Sequence, residues 1–496
     1  MFAGDSIIYP IGGLAFVVVS AALIKLFFQK DNELPNHRIK KINRDGKLRA
    51  NYASGRTAFL LIALIAVSLW GGWQIWSIVT DHYSSFKPFY ILFGSLFTIQ
   101  LILAATQKTF ELRRDYDLSA KYNTAVIVPV YNESENSLRE CLQSMFDQTV
   151  LPHEVHVVDD GSTQQYTKTK NWFLKEAKKV GIDASWEKQD NNGKRHAHSS
   201  ALSSVKRDND STIIITVDSD GVLDPHAIEE GLKPFVDVRV QSVAGVVIAK
   251  NAQTNLLSRI TDLIFVSAQQ LVDRSAMSQF GSVLVNSGGL AFYRHSIVRK
   301  ALANGYTEEE FFGREISFSD DSYLTLFALL DGKAVQQPSA IVFADMPVSF
   351  SHHLRQQLRW NRGSFIRSWW RLRHLAVNSF GWIRQVIGLG IFFSMTIILI
   401  QLLIIMPLVH RVYPPLEFLI VPLVFGLLQY SRYFSIRRSD MSTSSQVFTY
   451  LLTPLAVIWS SIFLRFVRLY SFVTCLRTGW GTRHKVEIMH HSDEIA

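Results

Sequence analysis

The sequence predicts an α/β domain with a mostly parallel sheet, joined to an α-helical transmembrane region of about six spans. Membrane-length apolar runs flank one polar block, at 7–28, 58–79 and 89–105 before it and at 386–409, 416–430 and 447–463 after it. Runs of that length need the bilayer as their solvent. Inside the block, short β-branched runs at 125–128, 155–158, 213–217, 243–248 and 340–343 alternate with polar helical stretches. That alternation is the pattern of a parallel sheet covered by helices. Three acidic stretches also lie in the block: Val158-Asp159-Asp160-Gly161-Ser162, Val217-Asp218-Ser219-Asp220 and Phe318-Ser319-Asp320-Asp321. The first two follow predicted strands, where open α/β sheets bind ligands.

The predicted organisation is an N-terminal transmembrane region (1–106) with a basic loop at 30–57, then the α/β domain (107–350) and amphipathic interfacial helices (351–380). A C-terminal transmembrane region (381–475) and a tail (476–496) complete it. The first run lacks a basic leader and a small-residue cleavage site, so it reads as an anchor. A net charge of +9 could suggest nucleic acid, but the cations cluster beside apolar runs: Arg38, Lys40, Lys41, Arg44, Lys47 and Arg49, then Arg432, Arg437 and Arg438. Cytoplasmic loops and anionic headgroups account for that placement, and no nucleic acid is implied.

With the basic loop inside, the second and third spans form an outward hairpin that returns the chain at Arg113 and Arg114. The α/β block is then cytoplasmic, in a multi-pass protein of the plasma membrane. Three full crossings after the block would leave Arg477, Arg483 and Lys485 outside, so either one C-terminal run is re-entrant, with that around Pro414, Pro415 and Pro422 the best candidate, or the chain makes a further crossing. Cys141 and Cys475 are too few for a disulfide framework, lack metal-ligand spacing and read as packing residues.

Asp218 and Asp220 stand at alternate positions of an extended segment, so their carboxylates face one way and can share a divalent cation and the phosphates it carries. Asp159 and Asp160 can accept from a base or ribose while Gly161 lets the backbone approach; an ordinary Asx turn is the plain alternative. Asp320 and Asp321 precede an apolar helical run, where capping would suffice. Chemically, Asp321 can take the proton from an acceptor hydroxyl as that oxygen attacks a sugar carbon carrying a diphosphate, which inverts the anomeric centre. Downstream, residues 353–370 interleave cations and aromatics on a predicted helix suited to the headgroup layer. Gln356, Arg359 and Trp360 have a further use there, as donors to a leaving diphosphate and a plate for an acceptor sugar. Arg465, Arg468, Tyr470 and Trp480 read chiefly as snorkelling headgroup anchors, and only the resemblance given below would make them the end of an export route.

In this order, these signatures resemble the processive family 2 glycosyltransferases: the hyaluronan, chitin and cellulose synthases and the chitin-oligosaccharide synthases. Pro129, Tyr131 and Glu133 lie in the stretch similar to the family's nucleotide-contacting opening strand and loop. Asp159 and Asp160 match its base and ribose acids, and Lys194 in Gly193-Lys194-Arg195 matches a segment near the nucleotide. Asp218 and Asp220 match the metal and diphosphate aspartates, with Asp220 as direct ligand. Ser287 and Gly288 in Asn286-Ser287-Gly288-Gly289, with Tyr293-Arg294, resemble the acceptor-side loop. Asp321 beside Asp320 matches the base, and Gln356, Arg359 and Trp360 match the Gln-x-x-Arg-Trp motif. Trp480-Gly481-Thr482-Arg483 resembles an element of the hyaluronan synthases. Gly221, Ser319 and Ser322 depart from the family pattern.

The resemblance implies a GT-A type domain using Mg2+ or Mn2+, with UDP-GlcNAc and UDP-GlcA as donors and a growing β-linked polysaccharide extruded through the bilayer. A chitin-type synthase using UDP-GlcNAc alone, transfer of one sugar to a polyprenyl phosphate, and a transporter or regulatory membrane protein that only binds nucleotide are the alternatives.

Overall fold

The computed structural model describes residues 47–53, 87–112, 116–207, 209–413 and 417–477. The predicted spans at 7–28 and 58–79, most of the basic loop, Arg113, Arg114, Pro414, Pro415, Trp480 and Arg483 lie outside them. The chain divides into two compact units. One is built from residues 1–106, 259–272 and 391–463, and the other from residues 107–258, 273–390 and 464–496.

The second unit is organised on an 8-stranded sheet. Its strands in chain order are β1 (Asn123–Val130), β2 (Glu154–Asp160), β3 (Asp183–Gln189) and β4 (Thr212–Val217), then β5 (Val222–Leu223), β6 (Val240–Ala249), β7 (Leu290–Arg294) and β8 (Lys333–Ala344). Across the sheet they run β3-β2-β1-β4-β7-β6-β8-β5. All five predicted strands are present, and each is almost wholly buried. Helices on both faces leave such strands no polar face, which is why they read as continuous apolar runs.

The sheet is mixed: six of its eight strands run one way, the mostly parallel arrangement expected, and two run against them. β1 to β4 pair in parallel, as do β6 and β8, but β7 runs antiparallel to both β4 and β6, and β5 antiparallel to β8. The sequence signal was silent on β3, β5 and β7. β3 is a half-exposed edge of mixed polarity, β5 has 2 residues and β7 has 5.

Helices α1 (Glu135–Phe146), α2 (Thr167–Val180) and α3 (Lys194–Ser203) follow β1, β2 and β3. α4 (Asp320–Asp331) precedes β8, and α5 (Phe350–His374) follows it. Ala197, Ala201 and Leu202 seat α3 in a core with Ala125, Ile127, Val158, Ile214, Tyr306, Tyr323 and Leu324. This packing fixes the N-terminus of α3 at the edge where β1 to β4 end.

In the first unit, Leu101, Ala104, Val272 and Leu428 form a small core flanked by Phe97 and Phe425, whose ring centroids lie 4.7 Å apart. Asp262 is fully buried there and accepts from Tyr433 Oη (2.5 Å) and Arg438 Nη1 (2.8 Å).

Two helices among the described residues are long and apolar enough to cross a membrane, Phe380–His410 and Thr453–Val473. The first contains the predicted span at 386–409. The second is displaced from the predicted 447–463, because helix Thr443–Leu451 ends and a new one starts at Thr453 with Pro454 in its first turn. Proline has no N–H for the preceding turn and favours a helix start. Leu92–Thr106 is a shorter apolar helix, and Glu417–Tyr430 is helical over 14 residues with Pro422 inside.

Gly231 on helix Ala227–Leu232 gives a test of the core. A Cβ there would lie 2.0 Å from Phe292 Cζ, on a fully buried β7 ring. Gly231→Ala should destabilise the protein by about 1–3 kcal/mol or more. The check is the thermal midpoint of the solubilised full-length protein, and an unchanged value would contradict this packing.

Candidate active site

β1, β2, β3, β4, β6 and β8 all point the same way, so the loops after them share one edge of the sheet. Because β7 is reversed, the loop before it reaches that edge as well. This places Glu133, Asp159-Asp160, Asn191 to Lys194, Asp218 to Asp220, Ser287-Gly288 and Asp345 along one rim.

Pro129 is buried in β1 beyond Ile127, where the pairing with β4 stops, so its missing N–H interrupts no bond to that strand. Tyr131 is half-buried just past the end of β1, and Asn132, at φ 50°, turns the chain. Asn132 N donates to Ser162 Oγ (2.9 Å) and Asn132 Oδ1 accepts from Thr163 N (2.8 Å), tying the first loop to the second. Glu133 Oε2 accepts from Ser219 Oγ (3.1 Å), which draws the first loop to the Asp218-Ser219-Asp220 segment.

Asp159 makes the local turn: Oδ1 accepts from Ser162 N (2.8 Å), with Lys188 Nζ at 3.5 Å from Oδ2. Asp160 closes the loop that enters α3, accepting from Gln189 Nε2 (2.8 Å), Asn192 N (3.0 Å) and Gly193 N (2.9 Å). Gly161 is required between them, since it sits at φ 77° and a Cβ would lie 2.7 Å from Asn191 N.

Lys194, the first residue of α3, joins the remaining acids. Its Nζ lies 2.6 Å from Asp218 Oδ1 and 3.3 Å from Asp320 Oδ2. Burial opposes its charge, but Asp218 and then Asp320 outweigh that and raise its pKa above the ordinary lysine value. Gly288 stands over this pair, where a Cβ would meet Lys194 Nζ at 3.2 Å. Ser287 is held by Arg274 Nη2 (2.7 Å).

The paired acids of α4 are driven apart electrostatically. Burial would raise Asp320, but Lys194, then His198 and Arg195, hold its carboxyl below the usual range. Asp321 is pushed up to about 6 by burial and then by the neighbouring Asp320 charge. His198 is lowered to about 4, chiefly by burial, with Nδ1 2.8 Å from Tyr306 Oη. Neither aspartate is the N-cap. That place is taken by Ser319 at φ 65°, without a side-chain cap bond, a backbone conformation natural to glycine. The Asp321 carbonyl accepts from Thr325 Oγ1 (2.7 Å) and Tyr293 Oη (3.3 Å), and Thr325 Oγ1 accepts from Asn286 N (3.1 Å). These bonds tie the acidic turn to the loop of Ser287 and Gly288.

Asp220 accepts from Asp345 N (3.2 Å). Burial, then Glu133, Asp218 and Asp345, hold its carboxyl well above the carboxylate range. No group of three His, Cys, Asp or Glu side chains among the described residues converges as a ready metal cage. The donor chemistry of Asp218 and Asp220 still fits a hard divalent cation, since it is all oxygen and the repulsion at Asp220 is what a cation would relieve.

On α5, Gln356, Arg359, Trp360 and Gly363 fall at i, i+3, i+4 and i+7, one helical face. Gly363 fixes where that face points: a Cβ on it would lie 2.8 Å from Ser319 Oγ and 2.9 Å from Ser319 Cβ. The Gln356-Arg359-Trp360 face therefore continues from the acidic turn, with Gln356 and Arg359 half-buried and Trp360 36% exposed. His198, Arg274 and Asp345 escaped the sequence reading, since each is a lone polar residue whose partner is distant in the chain, as did Thr325, whose link to Asn286 is equally remote.

The Glycosyl transferase family 2 model matches residues 125–302. The chain is also 32% identical over 372 residues, 74% of its length, to 84% of the hyaluronan synthase of Streptococcus pyogenes. This chain belongs to glycosyl transferase family 2. An N-acetylglucosaminyltransferase of Azorhizobium caulinodans is 34% identical over 48% of the chain and 59% of that relative. A solved mannosyltransferase from Pyrobaculum calidifontis, in complex with GDP-Man and Mn2+, superposes with a TM-score of 0.44 at 15% identity, over 82% of this chain and 99% of its own. By that family membership the protein is a glycosyltransferase, here built on a mixed sheet and similar to hyaluronan synthase.

In this glycosyltransferase, the tight Gly363–Ser319 contact predicts that Gly363→Ala displaces the acidic turn. Turnover should fall by about tenfold or more while UDP affinity stays near the parent value. Steady-state UDP release beside direct UDP binding checks this, and a loss confined to binding would contradict it.

Proposed function

We propose that this glycosyltransferase polymerises UDP-GlcNAc and UDP-GlcA into hyaluronan by inverting transfer at the cytoplasmic face of the plasma membrane, and extrudes the growing chain through the bilayer. The observation that carries the chemistry is the split acidic pair. Asp320 is held ionised by Lys194, while beside it Asp321 is raised to about 6, within reach of working pH. The identity spanning 84% of a hyaluronan synthase supports the choice of donors.

In this reading, Asp321 accepts the proton of the acceptor hydroxyl. The hydroxyl oxygen bonds to the anomeric carbon as the bond from that carbon to the diphosphate breaks, with inversion and release of UDP. Asp218 and Asp220 would hold Mg2+ or Mn2+, which when bound supplies positive charge against the diphosphate. Lys194 and Arg359 add fixed cationic donors, and Trp360 offers a stacking face to the acceptor sugar. Asp159 and Asp160 shape the nucleotide end of the rim with Pro129, Tyr131 and Glu133, and Gly288 lies on its acceptor side. Gln356, Ser287, Trp480 and Arg483 complete the assigned binding set.

The domain layout proposed from the sequence, with about six spans and a cytoplasmic catalytic block, fits the two apolar crossing-length helices and the basic flanks.

A base raised to about 6 is active above that pH and lost below it, as the proton that must be accepted already occupies the carboxylate. The turnover profile should therefore show an acid limb near pH 6. Asp320→Asn should move the limb lower, because it removes the charge that disfavours ionisation of Asp321. Asp321→Asn should cut UDP release by about 100-fold or more while nucleotide binding persists. Equal release by Asp321→Asn would refute the base.

The donors are tested with radiolabelled UDP-GlcNAc, with and without UDP-GlcA, followed by linkage-specific lyases and chitinases. Lyase-sensitive polymer that requires both donors is expected. Polymer from UDP-GlcNAc alone would overturn the hyaluronan assignment.

A further inference from the structure

Beneath the acidic turn lies a cluster that the transfer chemistry does not use. Arg195, next to Lys194 on α3, donates from Nη2 to Glu309 Oε2 (2.9 Å) and Phe318 O (2.7 Å), and from Nη1 to Tyr306 O (3.0 Å). Arg367 of α5 donates to the same Glu309 oxygen. All three side chains are buried, at 3%, 5% and 1% exposure for Arg195, Glu309 and Arg367. The ring of Tyr323, two residues beyond Asp321, is shared by both guanidiniums, at 5.4 Å from Arg195 and 5.0 Å from Arg367. Two cations on one carboxylate leave an excess positive charge, and Arg195 is among the cations that keep Asp320 ionised.

Such a network is a weak stabiliser, because desolvating three charges offsets most of their attraction and apolar residues of similar volume often serve as well. What it supplies is fixed geometry, since Arg195 is held through both Nη1 and Nη2 and Arg367 through Nη2 on the same Glu309 oxygen, with both guanidiniums against the Tyr323 ring. It spans α3, the Phe318 carbonyl that leads into the acidic turn, α4 through Tyr323, and α5. Resting on the Asp321 reading above, we propose that Arg195, Glu309 and Arg367 are positioning residues that lock α3, the acidic turn and α5 into one body, holding Lys194, Asp321 and the Gln356-Arg359-Trp360 face in register during transfer. They act together through Glu309, which joins the Arg195 bond to Phe318 O with Arg367, and through the Tyr323 ring, and do not touch the sugar.

The test uses the full-length membrane enzyme and measures kcat, donor KM, UDP affinity and thermal midpoint for Arg195→Met, Arg367→Met and the double variant. Each single change should lower kcat by about tenfold or more with donor KM within about twofold. The double variant should be no worse than the poorer single, because both arginines act through Glu309. Arg367→Lys, which restores a cation to Glu309, should recover part of the loss. Should Arg195→Met fail to fold, the Arg367→Met and Arg367→Lys pair decides, because it leaves the Arg195–Glu309 pair intact. An unchanged kcat in Arg367→Met, losses that multiply in the double, or a fall in kcat matched by loss of folded protein would overturn the proposal. Asp321→Asn in parallel separates the two claims: wild-type turnover there sinks the base reading, whereas an inactive Asp321→Asn beside a fully active Arg367→Met sinks only the positioning role.

Discussion

The site depends on one ammonium at the start of one helix. Lys194 Nζ stands within ion-pair distance of both Asp218 and Asp320, and one residue earlier Gly193 N is held by Asp160. Acidic groups separated by up to 160 positions in the chain, at 160, 218 and 320, are thereby gathered on a single helix terminus. Without a cation there, the carboxylates would repel one another in a partly desolvated rim, and the difference between Asp320 and Asp321 would shrink. The helix N-terminus contributes in the same direction, since its dipole favours negative charge.

The reversal of β7 is the second constraint. In a fully parallel sheet, the loop of Ser287 and Gly288 would enter its strand at the opposite edge from the acids. Running β7 antiparallel brings its leading loop to the rim, where Gly288 lies against Lys194 and Asp218 and Asn286 reaches Thr325. The backbone of Gly288 itself approaches the ion pair, and a Cβ there would stand 3.2 Å from Lys194 Nζ. Mixed topology is therefore what allows one edge to carry both the acids after β2 and β4 and the loop before β7.

Much of the sheet was legible because burial on both faces writes itself into the chain as β-branched runs, and β1, β2, β4, β6 and β8 all carry that mark. β3 does not, since an edge strand keeps a polar face; β5 has 2 residues, and β7, Leu-Ala-Phe-Tyr-Arg, contains no β-branched residue. The acids of the rim were legible for a related reason: carboxylates just after buried strands are costly unless something answers their charge. Their partners were not. Nothing in the local sequence of His198, Arg274, Glu309 or Asp345 distinguishes a buried partner from an ordinary surface residue. The local turn at Asp159 was foreseen as one alternative, and the structure shows that turn together with the loop closure at Asp160.

By itself, the sequence determined the presence of crossing-length apolar helices, the α/β class of the block between them, and the order of the acidic and Gln-x-x-Arg-Trp motifs. Those features are set by composition and period, which are local. Tertiary structure alone decided that Lys194 bridges two of the acidic stretches, that Asp320 and Asp321 acquire opposite tendencies to ionise, and that Gly363 seats α5 against Ser319. Each of these is a matter of distance and desolvation between residues far apart in the chain, and Coulomb energy depends on separation in space and on the medium between the charges.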